Sequence, residues 1–227
     1  MRPPADPLLG LRRLTRPAPA PPDAGVADGG PAPEVCELCS VEIDSRHGHV
    51  ADLQTQRLLC TCRSCFLLFT GSGAGAGRFR ALPERSRRVD SVAISQGQWD
   101  ALQIPVDLAF FFLQTGAESF AACYPGPGGA TESLLDLGAW ALVCEANPVL
   151  GQVEPDVEAV LLRRTDDAFE CFLVPIDRCY ELVGLVRQSW VGFSGGQEVW
   201  GRIDAFFAAI RAASQLVDRH GSAVAHA

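Results

Sequence analysis

Two pairs of cysteines carry the clearest chemistry in this chain. Cys36 and Cys39 form one Cys-x2-Cys sequence, and Cys62 and Cys65 form a second one after 22 intervening residues. Each such turn directs two sulfurs toward one point, so two turns can supply the four thiolates of a tetrahedral metal site. The spacing therefore predicts a metal-binding module over residues 34–70, with these four cysteines as the ligands.

Zinc is the expected metal, because it accepts four thiolates, has no redox chemistry and stabilises small modules. The alternative is iron, either as a single rubredoxin-like ion or as an iron–sulfur cluster, since four thiolates also suit these groups. Ser40 and Phe66 follow the second cysteine of each pair. Rubredoxins and zinc ribbons usually have glycine at that place, and its absence here disfavours a true rubredoxin.

Cys60 is a fifth thiol in the predicted module. It either packs as a small apolar residue, replaces Cys62 as a ligand, or is a reactive or cluster-carrying thiol beside the metal. His47 and His49 lie between the cysteine pairs and are interpreted as further ligands, as hydrogen-bond donors to ligands or as surface residues. The other cysteines are dispersed on apolar segments and are predicted to pack in the core: Cys123, Cys144, Cys171 and Cys179.

The rest of the sequence divides into four further segments. Residues 1–33 contain nine of the 16 prolines and are predicted to form a disordered Pro/Ala-rich arm. Residues 71–89 begin with a glycine tract and continue with Pro83 and several arginines, which is typical of a linker rather than of a dinucleotide-binding turn. Residues 90–216 are predicted to form an α+β domain, and residues 217–227 are predicted to be a flexible tail.

Strand patterns occur in both predicted folded parts. In the module, "HVADLQTQRLLC" alternates as part of a hairpin should, and this hairpin would bring the two cysteine pairs together. In the domain, "DLAFFFLQ" is apolar on both faces, which predicts a central strand beside "SFAACYP". "VEAVLLRR" and "FECFLVPI" flank "TDDA" and predict another hairpin. The expected fold class is α+β, with a small zinc-ribbon-like or rubredoxin-like module followed by a domain with a mainly antiparallel sheet.

Helices in the domain are predicted from their N-terminal signals. Ser95 begins a capping-box sequence. Thr131 or Ser133 is expected to cap a helix through "LLDLGAWALVCEAN", and Asp177 is expected to cap one through "RCYELVGLVRQSW". The last helix is expected to begin near Ser194 and to bury an apolar stripe along one side: Trp200, Ile203, Phe206, Phe207, Ile210 and Leu216.

The composition excludes several functions. All 19 basic residues are arginine, so P-loop and Schiff-base chemistry that requires lysine is excluded. Residues 1–88 contain 12 arginines and nine acidic residues, whereas residues 89–227 contain seven and 18, and so acidic a domain argues against nucleic-acid binding. The longest apolar run, "VDLAFFFL", is too short for a transmembrane segment, and no secretory signal is visible, so a cytoplasmic protein is expected.

No catalytic residues are predicted, because no Ser/His/Asp set or paired-carboxylate motif is present. One segment, "CYPGPGGATES", has the form of a strand, a glycine-rich loop and a helix start, a combination that can bind an anion, although a tight structural turn is the favoured interpretation. A small-molecule enzyme with a structural zinc site therefore remains an alternative function.

The segments "CELC", "HGH", "LLCTCRSCFLLF", "IPVDLAFFF", "YPGPGGATES" and "FLVPIDRCYELVGLVR" together resemble a family of uncharacterised, mostly actinobacterial proteins encoded near high-affinity uptake nickel–iron hydrogenases. The resemblance covers residues 34–215. It implies an accessory role in hydrogenase assembly or function, through contacts with a protein partner such as a hydrogenase subunit or a maturation factor. It also implies the alternative of a protein that transfers electrons or handles iron–sulfur clusters. The lack of a catalytic residue set favours a non-enzymatic protein.

Overall fold

The computed structural model describes the chain in five stretches: residues 33–71, 74–117, 119–165, 168–192 and 195–224. Residues 1–32, nearly all of the predicted Pro/Ala-rich arm, lie outside the described residues. The described residues from Glu34 onward form one compact unit. This unit contains a sheet of three strands and a sheet of seven strands.

The smaller sheet has the strand order β2-β1-β3 and forms the frame of the cysteine module. β1 (Gly48–Asp52) and β2 (Arg57–Thr61) pair antiparallel, which confirms the hairpin predicted between the cysteine pairs. β3 (Phe79–Ala81) pairs with the other edge of β1. The short helix α1 (Arg63–Leu68) begins just after β2, so the second cysteine pair lies where the strand passes into the helix.

The larger sheet has the strand order β10-β4-β9-β8-β5-β6-β7. Every neighbouring pair is antiparallel except β10 and β4, which run parallel. The predicted α+β class with a mainly antiparallel sheet is therefore confirmed. The strands of this sheet are β4 (Arg87–Val89), β5 (Leu108–Gln114), β6 (Ser119–Gly126), β7 (Gly129–Ser133), β8 (Glu158–Arg164), β9 (Phe169–Pro175) and β10 (Gln215–Val217).

Helices cover both faces of the larger sheet. The predicted capping box is present, because the side chains and backbone N–H groups of Ser95 and Gln98 satisfy each other at the start of α2. Among the described residues, no helix has both the length and the apolar character needed to cross a membrane. The helices of this part are α2 (Gln96–Ala101), α3 (Leu137–Ala146), α4 (Ile176–Ser189) and α5 (Gly196–Ala213).

The core lies on both sides of β5. Phe110 packs in a cluster with side chains of α4 and α5, whereas Phe111 packs in a second cluster with side chains of α2 and α3. Both rings are fully buried, as expected for successive residues that point to opposite faces of a covered sheet. The position of β5 between β8 and β6 confirms the prediction of a central strand.

The cap predicted for α3 is wrong. Thr131 and Ser133 lie on strand β7, and Asp136 caps the helix by accepting a hydrogen bond from the backbone N–H of Ala139 at 3.0 Å. The glycine-rich turn explains the difference, since Gly129 has a φ of 122° and lets the chain reverse into a hairpin with β6. The residues that resembled a helix start are thus paired in the sheet.

The cap predicted for α4 also differs from the structure, whereas α5 begins near Ser194 as predicted. α4 starts two residues earlier, after Pro175, and Asp177 lies in its first turn with its carboxylate against a histidine of β1. α5 follows Gly195, whose φ of 85° suits glycine, while Ser194 lies outside the described residues. In the predicted stripe, Trp200 is 47 % exposed and Val199 is buried in its place.

Two segments expected to be loosely structured contain regular hydrogen bonding. The predicted linker over residues 71–89 contains β3 and β4. Some of its arginines form ion pairs: Arg78 contacts Asp52 at 2.6 Å, and Arg87 contacts Glu158 at 3.3 Å. In the predicted tail, the backbone N–H of Val224 donates to the carbonyl of Leu216, which lies on β10, at 3.0 Å.

Candidate metal centre

The four predicted ligands come together at one point. The sulfurs of Cys36, Cys39, Cys62 and Cys65 all lie within 4.8 Å of one another, and those of Cys39 and Cys62 are 3.7 Å apart. Four sulfurs bound at about 2.3 Å to one tetrahedral zinc ion would lie about 3.8 Å from each other. The cluster therefore has the size that a single four-coordinate ion requires.

The second cysteine pair is shaped by the start of α1. Cys62 is the N-cap residue in an extended conformation, and its sulfur accepts a hydrogen bond from the backbone N–H of Cys65 at 3.5 Å. The helix then continues through Phe66, which is buried. No left-handed residue is needed here, because the chain turns by entering a helix. This explains why Phe66 can stand where related metal modules usually have glycine.

The first pair uses a different turn. The backbone N–H of Ser40 donates to the carbonyl of Cys36 at 2.7 Å, and the N–H of Cys36 donates to the carbonyl of Val41 at 2.7 Å. Ser40 has a φ of 62°, a left-handed conformation that glycine adopts most readily. The glycine that the sequence lacks is thus replaced by a serine that takes the same backbone conformation.

The electrostatics of the cluster favour a bound cation. Burial raises the pKa of the Cys36 thiol, but hydrogen bonds from backbone N–H groups, that of Cys62 foremost, outweigh it and bring the pKa down to about 6. Burial and the neighbouring sulfurs of Cys39 and Cys62 raise the pKa of Cys65 to about 12. The sulfurs of the cluster therefore influence one another's ionisation, and a divalent ion at its centre would offset part of the negative charge of four thiolates.

The remaining candidate ligands form a separate group. One ring nitrogen of each of His47 and His49 and the sulfur of Cys60 lie within 4.8 Å of one another. Cys62, rather than Cys60, lies among the four clustered sulfurs. The spacing of the two histidines, two residues apart at the start of a predicted strand, is a sequence signal for a shared face, and the pairing of His49 with Cys60 adds the thiol.

The other four cysteines pack against apolar side chains, as predicted. Cys171 and Cys179 are fully buried in the two large core clusters, and Cys123 and Cys144 pack against their edges. Burial raises the pKa of both Cys123 and Cys144 to about 11, so these thiols stay protonated at neutral pH. None of the nine cysteines, all of which are described, forms a disulfide.

The segment "GPGGATES" forms the tight structural turn favoured for it, and the alternative of an anion site at a helix start is not formed. This segment is the turn between β6 and β7, and the next helix begins only at Leu137. A cavity of about 410 Å³ lies elsewhere, between the two sheets, with Leu53 and Leu58 on one side and Phe112 and Tyr180 on the other. Its described lining contains no cysteine or histidine, so it offers neither a thiol nucleophile nor an imidazole base.

The chain matches one known protein family. The sequence profile of a family of unknown function, DUF5947, matches residues 35–214. The chain belongs to this family. The match begins one residue before Cys36 and ends one residue after α5, so the cysteine cluster and most of the larger sheet lie together in the DUF5947 region. No curated protein and no solved structure gives a match. The expectation of an uncharacterised family is confirmed.

Proposed function

We propose that this protein is a non-enzymatic, metal-binding accessory protein whose four-cysteine cluster binds one structural zinc ion. The observation that carries the proposal is the convergence of Cys36, Cys39, Cys62 and Cys65 within 4.8 Å. Four protein ligands fill a tetrahedral zinc ion completely, which is typical of structural sites and leaves no position for a substrate. The ion would close the module by joining the turn at Cys36 to the start of α1.

The size of the cluster supports a single ion. In an iron–sulfur cluster, several irons and bridging sulfides lie between the cysteine sulfurs and hold them farther apart than one ion does. The 3.7 Å separation between the sulfurs of Cys39 and Cys62 fits one ion. The small apolar core of the module, Val50, Phe66 and Ala81, supports a structural role, since so few buried side chains stabilise a fold weakly.

The accessory role is proposed from the surface of the module and from the resemblance described above. Four large apolar side chains near the cysteine turns are 48–62 % exposed: Val35, Val41, Leu67 and Leu68. Exposed apolar groups that lie near one another are typical of protein-binding surfaces. We propose a hydrogenase subunit or maturation factor as the partner, in the cytoplasm, where clustered thiols stay reduced.

Metal analysis of the full-length protein tests the zinc assignment. Protein purified without oxygen and without added metal is expected to be colourless and to contain one tightly bound zinc ion per chain. Cys39→Ser should lose this zinc, whereas the matched variant Cys123→Ser, which changes a thiol outside the cluster, should keep it. Stoichiometric iron with a visible sulfur-to-iron charge-transfer band would overturn the assignment.

A second candidate function is rubredoxin-like electron transfer by a single iron ion in the same cluster. The exposure of Cys39 favours it, because an exposed ligand gives a partner a short route to the metal. This function requires a reversible redox couple in the native protein that is absent from Cys39→Ser. A redox-silent protein loaded with zinc would exclude it.

A further inference from the structure

The two histidines and Cys60 are brought together by the pairing of β1 and β2. His49 lies directly opposite Cys60 in the antiparallel register, and side chains at such positions are close neighbours on one face. His47 lies two residues before His49, at the entry to the strand, and the two rings have their centroids 4.9 Å apart. Two imidazoles and one thiol thus meet on one face of the hairpin.

Hydrogen bonds fix both rings in the orientation that metal-binding histidines use. Nδ1 of His47 lies 2.9 Å from the backbone carbonyl of Asp44, and a carbonyl oxygen can only accept, so this nitrogen carries the proton. Nδ1 of His49 donates to the carboxylate of Asp177 at 2.8 Å. In the neutral form of each ring, a proton on Nδ1 leaves the lone pair of Nε2 available to a metal ion. Histidines that bind metals typically donate their other nitrogen to a carbonyl or a carboxylate in this way.

The position of Asp177 gives a second indication of a ligand. Its other oxygen, Oδ1, is buried and has no hydrogen-bond partner among the described residues. A carboxylate that is only half satisfied costs free energy, and the cost falls when the histidine it holds carries the charge of a metal ion. Asp177 comes from α4 of the larger part, 128 residues along the chain from His49, so the two parts meet at this site.

Gly48 is required for this arrangement of the two histidines. A Cβ atom at Gly48 would lie 2.5 Å from the buried ring of Phe66, so only glycine allows α1 to pack against the strand between His47 and His49. The space next to the histidines is open. A cavity of about 210 Å³ borders His47, His49 and Asp177, which leaves room for water or another molecule beside the ligands.

We propose that His47, His49 and Cys60 form a second metal site, distinct from the four-cysteine cluster, that binds a divalent transition-metal ion. Two imidazoles and a thiolate suit zinc, copper, nickel or cobalt and disfavour magnesium and calcium, which prefer oxygen ligands. Three protein ligands leave a coordination position free, in contrast to the closed four-cysteine cluster. The metal ion at this site is accessible to solvent, and its free coordination position binds water or a donor group from another molecule.

Cobalt(II) is the probe for this site, because a cobalt–thiolate bond absorbs in the near ultraviolet. The full-length protein, with one zinc ion bound, is titrated with Co²⁺, and zinc is measured in every sample. The native protein should bind one equivalent of Co²⁺ with a thiolate charge-transfer band and without releasing zinc. Cys60→Ser should lose the band, His49→Ala should lose binding, and Asp177→Asn should weaken binding about 10–100-fold.

Two control variants accompany the titration, and several results would overturn the proposal. Cys123→Ser and His220→Gln remove a thiol and an imidazole elsewhere and should bind Co²⁺ as the native protein does. The proposal is overturned if the native protein binds no Co²⁺ beyond its zinc, or if Cys60→Ser and His49→Ala bind it unchanged. It is also overturned if Cys60→Ser releases the zinc, since Cys60 would then serve the first site. Because zinc is measured separately, failure of the second site leaves the first assignment intact.

Discussion

The smaller and the larger sheet of this protein are stabilised in different ways. The larger sheet lies between two apolar clusters of 19 and 17 buried residues, the first of which includes Ala51 of β1, whereas the separate cluster of the cysteine module contains three. The module has instead four converging thiols and a set of ion pairs. The proposed metal ion would supply to the module the stability that apolar burial supplies to the larger part.

Loss of the metal should give the largest difference in stability between the two regions. Structural zinc contributes roughly 10–16 kcal/mol in small finger peptides, so Cys62→Ser should unfold the module while the larger sheet persists. Hydrogen exchange measured by mass spectrometry should show lost protection in peptides from residues 36–70 and retained protection in β8 and β9. Equal loss of protection in both regions would show that the module and the domain do not differ in this way.

A cavity in the apolar core of the larger part should destabilise the larger sheet, which loss of the metal is expected to leave folded. Phe172 is fully buried on β9, and replacement by alanine is expected to cost roughly 3–5 kcal/mol in the free energy of unfolding. The matched variant Phe66→Ala in the module should lower the free energy of unfolding of the larger part much less. Urea unfolding followed by tryptophan fluorescence measures this directly, because all four tryptophans lie outside the module. Similar shifts for the two variants would contradict the comparison.

The ion pair between Asp52 and Arg78 should make the module sensitive to acid. The Arg78 guanidinium holds the pKa of the Asp52 carboxyl well below its usual range. A carboxyl with a lowered pKa stabilises the folded state fully above its unfolded pKa of about 3.9, and this contribution is lost as the pH falls toward the folded pKa. Asp52→Asn should therefore lower the melting temperature at pH 7, and its difference from the native protein should shrink below about pH 4. A difference that stays constant over this range would assign the loss to packing.

The smallest effect is expected at the cap of α3 in the larger part. Asp136→Ala removes the side-chain acceptor for the backbone N–H of Ala139 and should cost about 1 kcal/mol. The variants Thr131→Ala and Ser133→Ala, at exposed or half-exposed positions of β7, serve as controls and should not affect the helix. Urea unfolding of the three variants distinguishes these positions. A larger loss for Ser133→Ala than for Asp136→Ala would contradict the assigned cap.

The sequence predicted the features that depend on local spacing. The two cysteine pairs, the hairpin between them and the central strand around Phe110 all follow from patterns within a few residues. The caps at Thr131 and Asp177 were wrong because a glycine turn and a preceding proline competed with the same local signals. The contact between His49 and Asp177 could not be predicted, since it depends on how two distant segments pack, and the grouping with Cys60 required the register of β1 and β2.

X-ray absorption at the zinc edge is the decisive test of whether the four cysteines bind one zinc ion. The measurement uses protein purified without oxygen and washed with a mild chelator, so that only tightly bound metal remains. We expect one zinc ion per chain surrounded by four sulfur atoms at about 2.3 Å. Absence of tightly bound zinc, or a zinc ion that is bound by fewer than four sulfurs, would contradict the proposed zinc site.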